Sequence, residues 1–260
     1  MHTATATNTH PGDMTHLPTL SFVTGVSHWD VLLRNLARSP CLQKGHRQWT
    51  AVSNAKSAAE AFNPALIAAA QTASGHASDN HWLVWVHQDV YLPSGWDLTF
   101  AKALQDAAQR WPTLAVAGVY GVSGHGPHLQ RSGHVLDRGK DLHEPTPLPA
   151  LTDSLDELLV AVKVSSGLRM DESLGFDFYG TDLVLQAKAK GLQAAVVEAY
   201  CEHWSDTPNT LPLPDNLVQR ISNNANAFEQ KWQHALPLST SCFDIAKPGD
   251  VARFLKGTSA

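Results

Sequence analysis

Three side chains far apart in the chain carry groups that work together in metal chemistry: Asp89, Asp182 and His203. Asp89 closes the triplet His87-Gln88-Asp89, which follows the apolar run Trp82–Val86. A carboxylate with an imidazole suits Mn²⁺ or Mg²⁺ when a substrate's phosphates supply further oxygens. A second carboxylate nearby can act as a general base. Each residue also has a structural explanation. An Asp after a strand commonly forms a turn or cap, Asp182 in a first helical turn would complement the helix dipole, and His203 would be a hydrogen-bonded surface histidine. Because Asp97 is placed to cap the next helix, Asp89 is free for another task, and the order of the three residues favours reading them jointly.

Trp82–Val86 reads as a strand buried on both faces of a mostly parallel sheet, and open α/β sheets receive ligands at the carboxyl ends of such strands. Asp182 opens a helix over Asp182–Lys190, capped by Thr181 and stopped by Gly191, and His203 follows a strand over Leu192–Tyr200. Upstream, strand Leu20–Val23 runs through Thr24-Gly25-Val26-Ser27 into a helix over His28–Arg38, with Ser27 and Asp30 as a capping box. A strand over Gln48–Val52 precedes a helix with Asn63 as N-cap and Pro64 as first residue, ending near Ser74-Gly75. Downstream come a helix over Asp97–Arg110 and strands over Leu114–Tyr120 and Leu158–Val164, then a helix over Asn216–Leu236 and a polar tail. Gly121–Pro149 has no steady period and reads as a long functional loop. The β-α-β-α alternation predicts an α/β fold, a Rossmann-like sheet with helices on both faces in a single domain.

Composition narrows the function classes. The 260 residues carry a formal charge of −5 with no dense Lys/Arg run, which argues against nucleic acid as a partner. Cys41, Cys201 and Cys242 form no CxxC pair, which fits a reducing compartment and excludes a zinc ribbon. No apolar stretch reaches the roughly 18 residues a transmembrane segment needs. The Thr/His-rich start at Met1–Pro18 has no signal-peptide core and reads as a loose tail. The expectation is a cytoplasmic protein, with peripheral membrane contact compatible but unsupported.

These pieces resemble, in order, a glycosyltransferase of the GT-A fold, in the large second sequence family and its bacterial branch with a His-Gln-Asp-Val signature. The resemblance covers about Leu20–Ser205 and rests on the first strand and turn, the Ser57…Asn63 segment, His87-Gln88-Asp89-Val90 with Pro93 and Trp96, Asp171-Glu172, Phe178-Tyr179-Gly180-Thr181-Asp182-Leu183, Gly191 and His203. It implies an inverting transfer of a sugar from a nucleoside-diphosphate donor, expected to be UDP-linked, to a glycan or other acceptor hydroxyl. It further implies a tail at 1–18, a domain over 19–236 with a nucleotide half at 19–120 and an acceptor half at 121–210, and a tail at 237–260.

Site roles follow position by position from the same resemblance. Asp89 matches the last aspartate of the Asp-x-Asp motif that holds Mn²⁺ or Mg²⁺ on the diphosphate, and His87 replaces the first. His203 matches a third metal contact. Thr24 and Val26, with Asn54, Asn63, His87 and Gln88, would bind the nucleotide. The family's catalytic aspartate falls on Gly180, so the base is expected to be Asp182, with Asp171, Glu172 and Asp177 as substitutes. Two other readings stand beside this one: a silent nucleotide-sugar or glycan-binding relative, and a phosphoester hydrolase using Asp89, His87 and the histidines at 125, 128, 134 and 143.

Overall fold

The computed structural model describes residues 17–45, 47–72, 80–205 and 213–257. The expected N-terminal tail up to residue 16, and the helix end at Ser74-Gly75, lie outside the described residues. From the N-terminus the elements are β1 (Thr19–Val26), α1 (Trp29–Arg34), β2 (Gln48–Ser53), α2 (Ala58–Thr72), β3 (His81–Val86), β4 (Val90–Tyr91), α3 (Trp96–Arg110), β5 (Leu114–Gly118) and β6 (Tyr120–Ser123). They continue through β7 (Gln130–Asp137), β8 (Lys140–His143), β9 (Ala150–Leu151), β10 (Ser154–Leu155), β11 (Leu159–Lys163) and α4 (Tyr179–Ala189). The last are β12 (Gln193–Val196), β13 (Cys201–His203), α5 (Asp215–Lys231), β14 (Leu238–Ser239), β15 (Asp244–Ile245) and α6 (Asp250–Gly257).

The main sheet has seven strands in the order β2-β1-β3-β11-β5-β12-β9. β2, β1, β3, β5 and β12 run in one direction; β11 lies antiparallel between β3 and β5, and β9 is antiparallel to β12. The α/β expectation is met, with a reversed strand in the centre that the apolar pattern of Leu158–Val164 did not distinguish. Successive residues of the central strands feed opposite faces, as the two-residue period of a strand requires. Phe22, Trp82, Val84 and Val86 pack with Leu32 of α1 and with Trp96, Phe100 and Leu104 of α3. Val23, Leu83 and Trp85 pack with Phe62 and Leu66 of α2 and with Leu183 and Val184 of α4 on the other face.

A second sheet, in the order β10-β6-β7-β13-β4 with β8 on β7, stands at the carboxyl end of the first. It corrects two expectations. Gly121–Pro149 is not an irregular loop: most of it is the β6–β7–β8 meander, whose half-buried strands carry too many Gly, His and Arg residues to show a period. The expected strand over Leu192–Tyr200 breaks after Val196, and Cys201–His203 joins the second sheet instead.

Several helix starts also differ. α2 begins at Ala58, because the Glu60 amide bonds Ser57 Oγ at 3.0 Å and the Glu60 carboxylate accepts from the Lys56 amide at 2.6 Å, a variant of the capping box. Pro64 therefore lies inside the helix, and Asn63 is not its cap. α1 stops at Arg34 and is followed by a 3₁₀ turn over Leu36–Arg38. α3 starts behind Gly95 at φ 78°, while Asp97 pairs with Arg47 at 2.7 Å and caps nothing. α4 starts at Tyr179; Thr181 is inside it, hydrogen-bonded to Ser154 at 2.7 Å. The polar segment after residue 236 is also structured: β14, β15 and α6 pack on α5 through Phe228, Trp232, Ile245 and Val251.

Within the second sheet β7 approaches β6 closely at Gly133, which pairs with Tyr120 and has φ +119°; a Cβ there would meet the Val119 carbonyl oxygen, with Tyr120 Cα only 2.8 Å away. Gly133→Ala should lower unfolding stability by about 3 kcal/mol or more. The check is the urea midpoint of the variant against wild type.

Candidate metal and nucleotide site

β3 ends at Val86 and the chain turns at once, the Val90 amide donating to the His87 carbonyl at 3.2 Å. The next two residues form β4, which pairs antiparallel with β13 so that Val90 faces His203. The Trp204 amide closes the register on the Asp89 carbonyl at 2.9 Å. β13 lies on its other side parallel to β7, so His203 faces Asp137. Two short ladders thus bring together residues 89, 137 and 203.

Their side chains follow. His203 Nδ1 bonds Asp137 Oδ1 at 2.8 Å, which turns Nε2 toward Asp89 Oδ1, 3.4 Å away. Asp89 Oδ1 is buried and has no hydrogen-bond partner, so the approach of His203 Nε2 is an ion-pair contact only. His87 stands on the far side, its Nδ1 4.0 Å from the same oxygen. Ligand atoms of His87, Asp89 and His203 lie within 4.8 Å of one another, the group among the described residues placed to hold a cation. His125, His128, His134 and His143 do not join it; His134 pairs with Asp141 and stacks on His143 in the second sheet.

The protonation states can be worked out from the partners. Tyr179 has one hydroxyl proton, which it donates to the Glu157 carbonyl at 2.9 Å. The same oxygen accepts from Trp85 Nε1 at 2.8 Å, so His87 Nε2, 2.7 Å away, is also a donor to it. His87 Nδ1 then carries the lone pair and faces Asp89. Burial lowers the pKa of His87, which keeps this ring neutral, with Asp89 acting in the opposite sense. Burial pushes Asp89 up, yet His203 and His87 beside it hold its carboxyl down at about 2. Burial likewise disfavours a charged His203, but Asp137 and Asp89 raise it to about 9. A neutral imidazole, a carboxylate without a donor and a histidine fixed by a second carboxylate are the parts of a divalent-cation site with a carboxylate–histidine support. The donor set fits the cation.

The other expected site residues divide into two groups. Val26, Asn54 and Gln88 line, with Gly25, Phe176, His203 and Arg220, a cavity of about 580 Å³ that reaches Asp89. Gln88 is committed structurally: its Oε1 accepts the Ser27 and His28 amides at 3.1 Å each, capping α1 in place of the expected Ser27–Asp30 box. Thr24 is fully buried and outside the cavity. Asn63 makes paired bonds with the Met170 backbone at 2.9 and 3.0 Å and lines neither this cavity nor the cation group.

The expected acids are the main correction. Asp182 is completely buried, accepting from Trp232 Nε1 at 2.7 Å and Gln186 Nε2 at 2.6 Å and paired with Lys231 at 2.6 Å. With those three partners on it and no exposure, it has no free face for a substrate. Asp171 caps the turn that follows it and pairs with Lys231 at 2.6 Å, while Glu172 is an exposed residue of that turn. Asp177 is held by Arg220 and Asn224. Asp137, Arg220 and Glu157 were missed. Asp137 ends β7 at a two-residue turn, Arg138-Gly139, with φ of 50° and 80°. A Gly in second place was the available turn signal, masked by an Arg where Asn or Asp is usual.

No family model matches the chain. It is 28% identical over 155 residues to a protein of Fuscovulum blasticum named ATP synthase subunits region ORF 6; the match takes in 58% of this chain and 60% of that protein, under two thirds of its length. A solved structure, the mannosyltransferase PcManGT from Pyrobaculum calidifontis in complex with GDP-Man and Mn²⁺, superposes with a TM-score of 0.49 at 12% identity, covering 94% of this chain and 70% of that one.

Since Asp182 is a buried partner of α5, Asp182→Asn should cost roughly 3 kcal/mol of stability while leaving Mn²⁺ affinity within about twofold. Denaturant unfolding and a Mn²⁺ titration of the folded variant would test both halves. A normal midpoint with lost catalysis would restore Asp182 to the chemistry.

Proposed function

We propose that the chain is a metal-dependent glycosyltransferase that moves a sugar, with inversion, from a nucleoside-diphosphate donor to an acceptor hydroxyl. The observation that carries this reading is the donorless, buried Asp89 Oδ1 between two imidazoles at the edge of a cavity large enough for a nucleotide. That combination supplies part of a cation's coordination sphere and leaves the rest to phosphate oxygens. Two nitrogens suit Mn²⁺ better than Mg²⁺. When bound, the cation would neutralise charge on the departing diphosphate. Asp89, His87 and His203 would hold it, and Asp137 fixes the His203 ring by its bond to Nδ1.

Gly25 and Val26 at the end of β1, with Asn54 after β2, line the same cavity, and they would contact the base and ribose. Arg220 contributes a positive charge at the rim, where it is held by Asp177. Uridine is the base we favour on the resemblance of the His-Gln-Asp-Val segment. The acceptor is a glycan or another hydroxyl compound, and the reaction belongs in the cytoplasm, in line with the three free cysteines. No helix among the described residues is long and apolar enough to cross a membrane. A binding-only relative is the second reading, favoured by the glycine at 180 and by the burial of Asp182.

Nucleotide release from nucleoside-diphosphate sugars should require Mn²⁺ and should vanish with EDTA or in Asp89→Ala. Asp137→Asn, which alters the bond behind His203 and the Arg138 pair on the other carboxylate oxygen, should weaken Mn²⁺ binding about 10- to 100-fold. Tight nucleotide-sugar binding without any release would favour the binding-only relative. Unchanged Mn²⁺ affinity in both variants would overturn the site.

A further inference from the structure

The base expected near the start of α4 is missing at position 180, and the structure shows what fills its place. A Cβ on Gly180 would stand 2.5 Å from the Leu155 carbonyl oxygen and 3.3 Å from Glu157 Cγ, so position 180 has no room for an acidic side chain. The neighbouring side chain is itself an acid. It is Glu157, which stands beside Gly180 at the α4 N-terminus, where Phe178 provides no side-chain cap.

Glu157 also faces open space. With Arg138, Asp177, Phe178 and Arg220 it lines a cavity of about 480 Å³, largely walled by apolar residues. Arg220 lines both this cavity and the one containing Asp89, so the two adjoin there. The backbone is fixed relative to the cation group as well, because the Glu157 carbonyl, the Tyr179 hydroxyl and His87 Nε2 form one hydrogen-bonded chain. Asp182, by contrast, is sealed in the core.

We propose that Glu157 is the general base of the transfer, taking the acceptor's proton from the second cavity in place of the acid absent at position 180. This rests on the glycosyltransferase reading above. In the step, the acceptor O–H proton passes to a Glu157 carboxylate oxygen as the acceptor oxygen bonds to the anomeric carbon. The bond from that carbon to the diphosphate breaks, and its electron pair leaves on the nucleoside diphosphate. Burial, then the charges of Asp177 and Asp156, pushes the Glu157 pKa well above the ordinary carboxylate range, while the backbone of Phe178 and Gly180 acts in the opposite sense.

The alternative makes Glu157 only a structural acid at the α4 N-terminus, and Glu157→Gln separates the two because the amide keeps the size of the side chain and removes its basicity. Water can serve as the acceptor, so the probes are uridine, guanosine and adenosine diphosphate hexoses and N-acetylhexosamines with Mn²⁺. Glu157→Gln is expected to release nucleotide about 100-fold more slowly, or worse, with nucleotide affinity within about twofold and an unchanged melting temperature. Glu157→Asp should keep part of the rate. Release at the wild-type rate in Glu157→Gln, with Asp89→Ala inactive, would overturn the role of Glu157 and leave the transferase reading standing. A fall in melting temperature that accounts for the lost rate would make Glu157 a structural acid and overturn the proposal too. Failure of the wild-type protein to bind or cleave any of these donors would sink the transferase reading itself, and Glu157 with it.

Discussion

The pairing of two short strands, β4 with β13, is the constraint on which the candidate site depends. Residues 90 and 203 face each other across it, and the Asp89 carbonyl is fixed by the amide of Trp204. Ladders of two or three residues have little stability of their own. Here they are clamped between larger units: β4 leads directly from buried β3 into α3, and β13 also lies against β7. Val90 and Cys201, both fully buried, anchor the two strands in the core. Side chains on a sheet stand where the register puts them, so a slip of one residue would turn His203 away from both Asp89 and Asp137.

Sequence pattern revealed much of the frame and some of the site. The apolar run ending in His87-Gln88-Asp89 was legible because a doubly buried strand has an unmistakable composition, and its polar end is where an open sheet receives ligands. The convergence of Asp89 with His203 was an inference from element order, and the 3.4 Å separation is consistent with it. What failed were cases where two local signals competed. Asn63-Pro64 has the form of a helix start, yet Ser57 and Glu60, six and three residues before Asn63, make the actual one. Pro64 is tolerated inside α2 because it is exposed, so that the carbonyl four residues back, on the exposed Glu60, can turn to water.

Asp182 illustrates a limit of a different sort. Its position in the Phe178–Leu183 stretch is the same whether it points into a cleft or into the core. The decision lies with Trp232 and Lys231, some fifty residues away, whose side chains converge on it from the end of α5. Nothing in the local sequence encodes that partner. Glu157 was hidden for the converse reason: it sits in a turn between β10 and β11 with no motif around it, and its proximity to Gly180 exists only in three dimensions.

The electrostatics of the Asp89 cluster follow from the same geometry. Three charged or polarisable groups are withdrawn from water within a few ångströms, which is costly unless each finds a partner. His203 meets the demand with Asp137 bonded to its Nδ1 and Asp89 in ion-pair contact with its Nε2, and the two carboxylates raise its pKa to about 9. Asp89 Oδ1 receives no hydrogen bond, and His87 Nδ1 stands 4.0 Å from the same oxygen. His87, Asp89 and His203 are the groups that would hold a divalent cation, their ligand atoms lying within 4.8 Å of one another. The Nδ1 bond to Asp137 would be unaffected, because it lies on the opposite edge of the ring. The cluster is therefore built to hold positive charge, which His203 carries between Asp137 and Asp89.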